Sequence, residues 1–253
     1  GATGPCFVTS SACASSSHAI GIAMQFLRAG LADIVIAGGT EAPLSAGTLL
    51  AWDAMRIMSR TACRPFAAGR DGLMLAEGAG VIVLETEAHA RSRGLEPTIE
   101  AAGFGFSADA GDIVAPNVDG MTRAMALALA DAGLDVGDLA YINAHGTGTR
   151  ANDRAETQAL KRLFGDRPVP PTSSIKGATG HALGAAGAFE AIATIMAIEN
   201  GIAPPTANFD APEPECDIDC VPNQARPMPI PAAMSNSFAF GGLNTALSFK
   251  TLK

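Results

Sequence analysis

"GPCFVTSSACASSSHAIGIAMQFLRAG", Gly4 to Gly30, reads as a short strand-like segment that gives way to a helix. Cys13 sits at the changeover, in a run of Ser and Ala. A core cysteine would do as well anywhere along the apolar face. A reactive one gains from this address, because backbone N–H groups at a helix start favour a thiolate. The stretch therefore predicts a strand–helix unit with a depressed thiol pKa at Cys13.

Outward from it, strands and helices alternate. "DIVIAGGTE" (Asp33 to Glu41) reads as a buried strand, and "GAGVIVLET" (Gly78 to Thr86) as another, followed by a short helix. An irregular stretch with Pro43, Trp52 and several arginines lies between them. A domain seam is expected near Gly94 to Thr98, dividing the chain into 1–94 and 95–253. The second part opens with the strand "TIEAAGFGF", then the helix "MTRAMALALADAG", the strand "AYINAHGTGT" and the helix "DRAETQALKRLFG". A long apolar helix follows "PPTSSIKGATGH", and two strands around Gly241–Gly242 close the chain. Alternation of this kind means a layered α/β architecture with buried sheets.

The bulk properties agree. The 253 residues are 48% hydrophobic and 17% charged, enough for a large core, and 28 glycines favour close helix–sheet packing. A net charge of −8 argues against nucleic acid, which needs a basic face. Arg56, Arg60, Arg64 and Arg70 form a local basic cluster, either a solvated loop or a dock for an acidic partner. Five cysteines in no disulfide pattern, and no visible secretory signal, make a reducing cytoplasm the expected compartment. "ALGAAGAFEAIATIMAI" (Ala182 to Ile198) imitates a membrane span, but Glu190 at its centre is costly there. A buried helix is the reading.

Four histidines divide into two kinds. His18 and His89 suit packing or surface roles. His145 in "NAHGTGT" and His181 in "KGATGH" stand among Gly and Thr at the ends of elements, where catalytic groups are usually placed. With Cys13 they point to nucleophilic chemistry. No P-loop, G-x-S-x-G or H-E-x-x-H is present, and neither a metal nor a resident cofactor is expected.

"SSACASSSHAI", "NAHGTGT", "SSIKGATGHALGAAGAFEAI" and "NSFAFGG", in that order, resemble the signature blocks of the β-ketoacyl-[acyl-carrier-protein] synthases, elongating type. The resemblance runs nearly end to end but lacks the portion that precedes the nucleophile in family members. It implies a thiolase-like αβαβα fold, incomplete at the N-terminus, whose two similar halves carry the nucleophile and the His/His/Lys set. It also implies roles. Cys13 matches the nucleophile that takes the acyl chain from a carrier-protein thioester. His145 and His181 match the pair that assists decarboxylation of the malonyl extender. Lys176 matches a lysine that organises the site with His181, and Glu190 the acid that pairs with it. Phe238 matches the gate between acyl pocket and malonyl site, and its N–H an oxyanion donor beside that of Cys13. Thr147 and Thr149 match the hydroxyls that hold the phosphopantetheine arm, which the carrier protein delivers.

Some positions depart from the family pattern. Val114 stands where a threonine is frequent, Asp112 where a histidine is, and Gly177–Ala178 where bulkier residues are. Trp52 replaces a frequent Phe of the acyl pocket and is expected to shorten the accepted chain. The reading is a cytoplasmic, homodimeric condensing enzyme of fatty acid elongation, met by its acyl carrier protein at Arg56. A ketosynthase of a polyketide or specialised lipid pathway is the alternative. A non-catalytic chain-length-factor-like partner would typically lack the cysteine, and a cysteine hydrolase would need a carboxylate to orient its histidine.

Overall fold

In the computed structural model, which describes residues 1–252, the predicted alternation is present throughout. Helix α1 spans Ser15–Arg28 and leads into strand β1, Ile34–Glu41. Helix α2 (Ala46–Ala54) begins the irregular stretch, after which β2 (Gly78–Glu85) pairs antiparallel with β1, Ile36 opposite Val83. Helix α3 (Glu87–Ser92) and the turn at Gly94 to Thr98 lead to β3, Ile99–Ala108. Then come α4 (Val118–Ala132), β4 (Tyr141–Asn143), α5 (Arg150–Phe164), β5 (Thr172–Ser173), α6 (Lys176–Thr179) and α7 (Ala186–Asn200). The small β6 (Ile202–Ala203) and β7 (Arg226–Pro227) pair with each other, and β8 (Ala232–Ala239) and β9 (Leu243–Thr251) close the chain.

The main sheet has the order β3-β9-β8-β4-β5, antiparallel on the β3 side and parallel on the other. Every residue of β8 is buried, as expected for a central strand covered on both faces. Helices α4 and α5 cover one face. The glycines of β3 allow this: a Cβ at Gly105 would lie 2.0 Å from the Ala124 carbonyl oxygen. Helices α1 and α7 lie on the other face, between this sheet and the β1–β2 pair. One core cluster joins Ile20 and Met24 of α1, Ala37 of β1, Ala191 of α7 and Leu247 of β9. Residues on both sides of the expected seam thus share one interior.

One expectation changes. Residues 1–10 form no strand, because nothing among the described residues pairs with them. Four of the layers of the incomplete αβαβα arrangement are present among the described residues. The inner residues Val35, Ile82 and Leu84 meet the core, but Ile34, Ile36, Val81 and Val83, alternating with them, are exposed. No helix covers that outer face among the described residues. The apparent membrane span became α7 and the turn before it, and no described helix is long and apolar enough to cross a membrane.

Candidate active site

Cys13 lies on a tight turn just before α1. The Ala14 N–H donates to the Ser11 carbonyl at 3.1 Å, and the Ser15 N–H to that of Ala12 at 3.1 Å. Ala12 has φ 49°, a left-handed conformation costly for a residue with a Cβ. Buried Ser16, Ile20 and Met24 anchor the helix behind it. The turn presents Sγ to a partner 168 residues away: His181 Nε2 stands 3.0 Å from it.

His181 is fixed through its backbone. Its N–H donates to the Met74 carbonyl at 2.7 Å, and its carbonyl accepts from the Ala76 N–H at 3.0 Å. Its Nδ1 has no partner. The His145 ring stands edge-on to it, with centroids 5.3 Å apart. His145 follows β4 on a loop held from beneath by α5. The Glu156 carboxylate accepts from the N–H groups of His145 and Gly146, both at 2.8 Å. Asp153, one helical turn earlier, accepts from Phe66 N–H at 2.8 Å and Gly148 N–H at 3.2 Å. Sequence reasoning missed both acids. Their signal was present, since acids three apart on α5 share a face, and that face is buried among Ala155, Ala159 and Leu160.

Lys176, expected to organise the site together with His181, makes its contacts to His145. Its Nζ donates to the His145 carbonyl at 2.6 Å, lies 3.3 Å from His145 Nδ1, and forms an ion pair with Glu190. An ammonium has only donors, so Nδ1 accepts and the ring proton sits on Nε2, toward the cavity. Both rings are held neutral. Burial, then the Lys176 charge, pulls each pKa well below 6.5. Glu190 also accepts from Ser237 Oγ at 3.3 Å.

The expected low-pKa thiolate is overturned. Burial pushes the Cys13 thiol up to about 12, outweighing the nearby Lys176 charge. Only 6% of the residue is exposed. A helix start stabilises a thiolate by partial charges, whereas burying sulfur removes most of the water that would solvate the charge.

The remaining residues fall into place around a cavity of about 90 Å³. Thr147 and Thr149 line it and share a 2.8 Å hydroxyl contact. Trp52 and Val114 also line it, Val114 being mostly exposed at the mouth. Asp112 caps its own loop, accepting from the N–H groups of Val114 and Ala115. Phe238, expected as the gate between acyl pocket and malonyl site, is buried, lines the cavity and belongs to the core cluster of Met125, Ile142 and Met234, with its ring 6.2 Å from that of His145. The half-buried aromatic of the same turn is Phe240, which sequence reasoning missed. Arg56 and Arg60 are exposed. Arg70 leaves the basic cluster: it is 2% exposed and pairs with Glu213 at 3.0 Å and Asp153 at 4.0 Å. His18 and His89 keep structural roles, the first against Ser11 and Phe104, the second paired with Glu85.

Known proteins resemble this chain over nearly its whole length. The profile described as "Beta-ketoacyl synthase, N-terminal domain" matches residues 1–90, and that described as "Beta-ketoacyl synthase, C-terminal domain" matches 98–210. Nodulation protein E of Rhizobium meliloti is 51% identical over 251 residues, covering 99% of this chain and 63% of that protein. The 3-oxoacyl-[acyl-carrier-protein] synthase 2 of Staphylococcus aureus (strain COL) is 43% identical over 258 residues, covering 99% of this chain and 62% of that protein. A solved β-ketoacyl synthase from Burkholderia phymatum superposes with TM-score 0.92 at 43% identity, over 97% of this chain and 61% of that one. A type II PKS ketosynthase, solved in complex with its acyl-carrier protein, gives TM-score 0.92 at 36% identity, over 97% of this chain and 64% of that one. The chain thus spans less than two thirds of the length of these relatives.

Proposed function

This chain belongs to the β-ketoacyl synthase family, with its thiolase-like α/β fold, and from that premise we propose that it catalyses a decarboxylative condensation on Cys13. An acyl thioester on a carrier protein meets Malonyl-[acyl-carrier-protein] there, giving 3-oxoacyl-[acyl-carrier-protein] and carbon dioxide. The observation that carries the reading is the convergence of Cys13 Sγ, His181 Nε2 at 3.0 Å and the adjacent His145 ring in one cavity.

In the first half-reaction Sγ attacks the acyl carbonyl carbon. Its proton passes by way of His181 Nε2 to the departing carrier thiol, so no resting thiolate is needed. In the second, the malonyl C–C bond breaks, carbon dioxide leaves and the electron pair delocalises onto the thioester oxygen. The Nε2–H of His145, aimed by Lys176, and His181 in its Nε2–H tautomer stabilise that oxygen. The enolate carbon then attacks the acyl carbonyl, and the tetrahedral intermediate expels the Cys13 thiolate, which takes up one proton from solvent by way of His181 Nε2. Two imidazole donors supply the charge stabilisation, so the reading calls for no resident cofactor. The phosphopantetheine arm arrives on the carrier and passes Thr147 and Thr149. Cytoplasmic residence and a homodimer belong to the same proposal.

Fatty acid elongation is the pathway proposed first. A specialised acyl pathway is the second reading, favoured by 51% identity to nodulation protein E against 43% to the 3-oxoacyl-carrier synthase. Cys13 with both histidines counts against a non-catalytic chain-length-factor-like role. The test separates the half-reactions in the full-length gene product. Cys13→Ala should abolish acyl transfer yet keep release of carbon dioxide from malonyl-carrier. His145→Ala or His181→Ala should cut that release on the order of a hundredfold. Loss of release in Cys13→Ala with retention in both histidine variants would reverse the roles.

A further inference from the structure

A second cavity, of about 360 Å³, shares no lining residue with the one over Cys13. Its size falls within the roughly 300–1,000 Å³ of sites that enclose small molecules. Two thiols line it, Cys216 and Cys220, which the chemistry above leaves unused. The chain turns back on itself between them. The Ile218 N–H donates to the Cys216 carbonyl at 2.9 Å, and the Cys220 thiol donates to the Ile218 carbonyl at 3.4 Å. A bond to the carbonyl two residues back closes a three-residue turn. Both side chains are buried and join one apolar cluster, with Phe66 and Ala144.

The surroundings restrict what the pair can take. Phe209, Ile218 and Pro222 add apolar wall, and the charged residues of the lining are Glu213, Asp217 and Asp219. An anionic ligand is repelled there and an uncharged one is not. Zinc calls for four ligands, and no group of three His, Cys, Asp or Glu among the described residues is placed to hold a metal ion. Burial keeps both thiols protonated, pushing Cys216 up to about 11 and Cys220 further, with the Cys216 charge adding to the effect on Cys220. Reagents that need a standing thiolate are poorly served. A ligand that consumes two thiols and leaves no charge behind is favoured.

We propose that Cys216 and Cys220 form a dithiol binding site for uncharged trivalent arsenic compounds, and that its occupancy is felt at the His145 loop. Arsenous acid, uncharged near neutral pH, forms two As–S bonds as two As–O bonds break. The two thiol protons leave with the two hydroxyl groups as water, and arsenic stays trivalent. The second As–S bond forms within the chain, at high effective concentration, so a two-thiol site outcompetes single cysteines. The effect on His145 follows from the shared cluster. Ala144 precedes His145 in the chain, and the ring of buried Phe66 lies 2.8 Å from where a Cβ on Gly146 would stand. A group bonded against these residues pushes on the segment that carries His145.

The experiment uses the full-length protein and phenylarsine oxide as probe, with excess 2-mercaptoethanol to reverse attachment to single thiols. In this reagent two As–S bonds form and the arsenic-bound oxygen leaves as one water. Intact mass should show one phenylarsenic group per chain, removed by 2,3-dimercaptopropanol. Cys216→Ala and Cys220→Ala should each abolish it. In the unmutated protein, N-ethylmaleimide added after denaturation should then label Cys6, Cys13 and Cys63 and spare Cys216 and Cys220 together. No adduct, or equal labelling of all five cysteines, would overturn the site. Hydrogen exchange reads the second half without any assay of activity. The N–H groups of His145 and Gly146, both held by Glu156 at 2.8 Å, should exchange faster in the adduct than in the free protein. Unchanged exchange there would overturn the link to His145.

Discussion

Lys176 Nζ donates to the carbonyl oxygen of His145 at 2.6 Å and stands 3.3 Å from the Nδ1 of the same residue. One buried ammonium therefore holds both the loop and the tautomer of His145, while Glu190 neutralises its charge. A buried ion pair of this kind is weak evidence for stability. Its consequence here is chemical, because it leaves the Nε2 proton of His145 facing the cavity.

Lys176→Met should therefore injure both fold and chemistry. It leaves Glu190 as an uncompensated buried carboxylate, which costs about 3–5 kcal/mol. Lys176→Met with Glu190→Gln should regain most of that stability but not carbon dioxide release, since Nδ1 of His145 still lacks its donor. Denaturant unfolding and release assays on the two variants check the two halves. Full activity in the stable double variant would show that Lys176 does not set the tautomer.

Thiol reactivity should follow exposure and not helix position. Burial raises Cys13 to about 12, Cys63 to about 12 and Cys216 to about 11, while Cys6 is exposed. Only thiolates alkylate appreciably, so limiting iodoacetamide near neutral pH should label Cys6 first. Peptide mapping reads the order directly. Cys13 labelling ahead of Cys6 would mean that His181 deprotonates it at rest.

The neutral histidines predict an acid-sensitive fold. Both fall well below 6.5, by burial first and the Lys176 charge after it. Below pH 6.5 the unfolded chain binds their protons and the folded chain does not, so their contribution is present above that pH and is lost on acidification. His181→Asn removes one of the two groups. The variant should lose about 1.4 kcal/mol less than the parent between about pH 7.5 and about pH 5.5. Buried Glu156, raised to about 7, and Asp153, raised to about 6, act in the opposite sense in both proteins and cancel in the comparison. Equal losses measured by urea unfolding would mean that His181 titrates normally.

Arg56 and Arg60 are the exposed members of the basic cluster, and Arg64 is half-engaged with Asp210 at 4.0 Å. If an acidic carrier docks there, Arg56→Glu should weaken its binding, and salt should weaken it further. Arg70→Glu should instead unfold the region locally, because that side chain is buried against acids. A carrier affinity indifferent to both salt and Arg56→Glu would remove this face as the dock.

What the sequence by itself determined was local. Alternation of strand and helix, the turn at Cys13, and the candidate set Cys13, His145, His181, Lys176 and Glu190, which the structure brings together, were legible because each depends on neighbouring residues or on ordered blocks. Tertiary structure decided how those side chains act. Cys13 meets His181 across 168 residues, and what raises its pKa is the closing of the cavity around it, which no window of sequence contains. The same holds for Lys176, which could have faced either histidine until β4 and α6 were placed. Phe238 lies buried near the end of β8 and Phe240 half-buried in the turn beyond it, and only the tertiary structure brings both to the cavity wall. Arg70 left its cluster because Asp153 and Glu213 draw it inward. Residue types and periodicity are properties of the chain, whereas desolvation and pairing are properties of packed neighbours, and those are set only when distant segments meet.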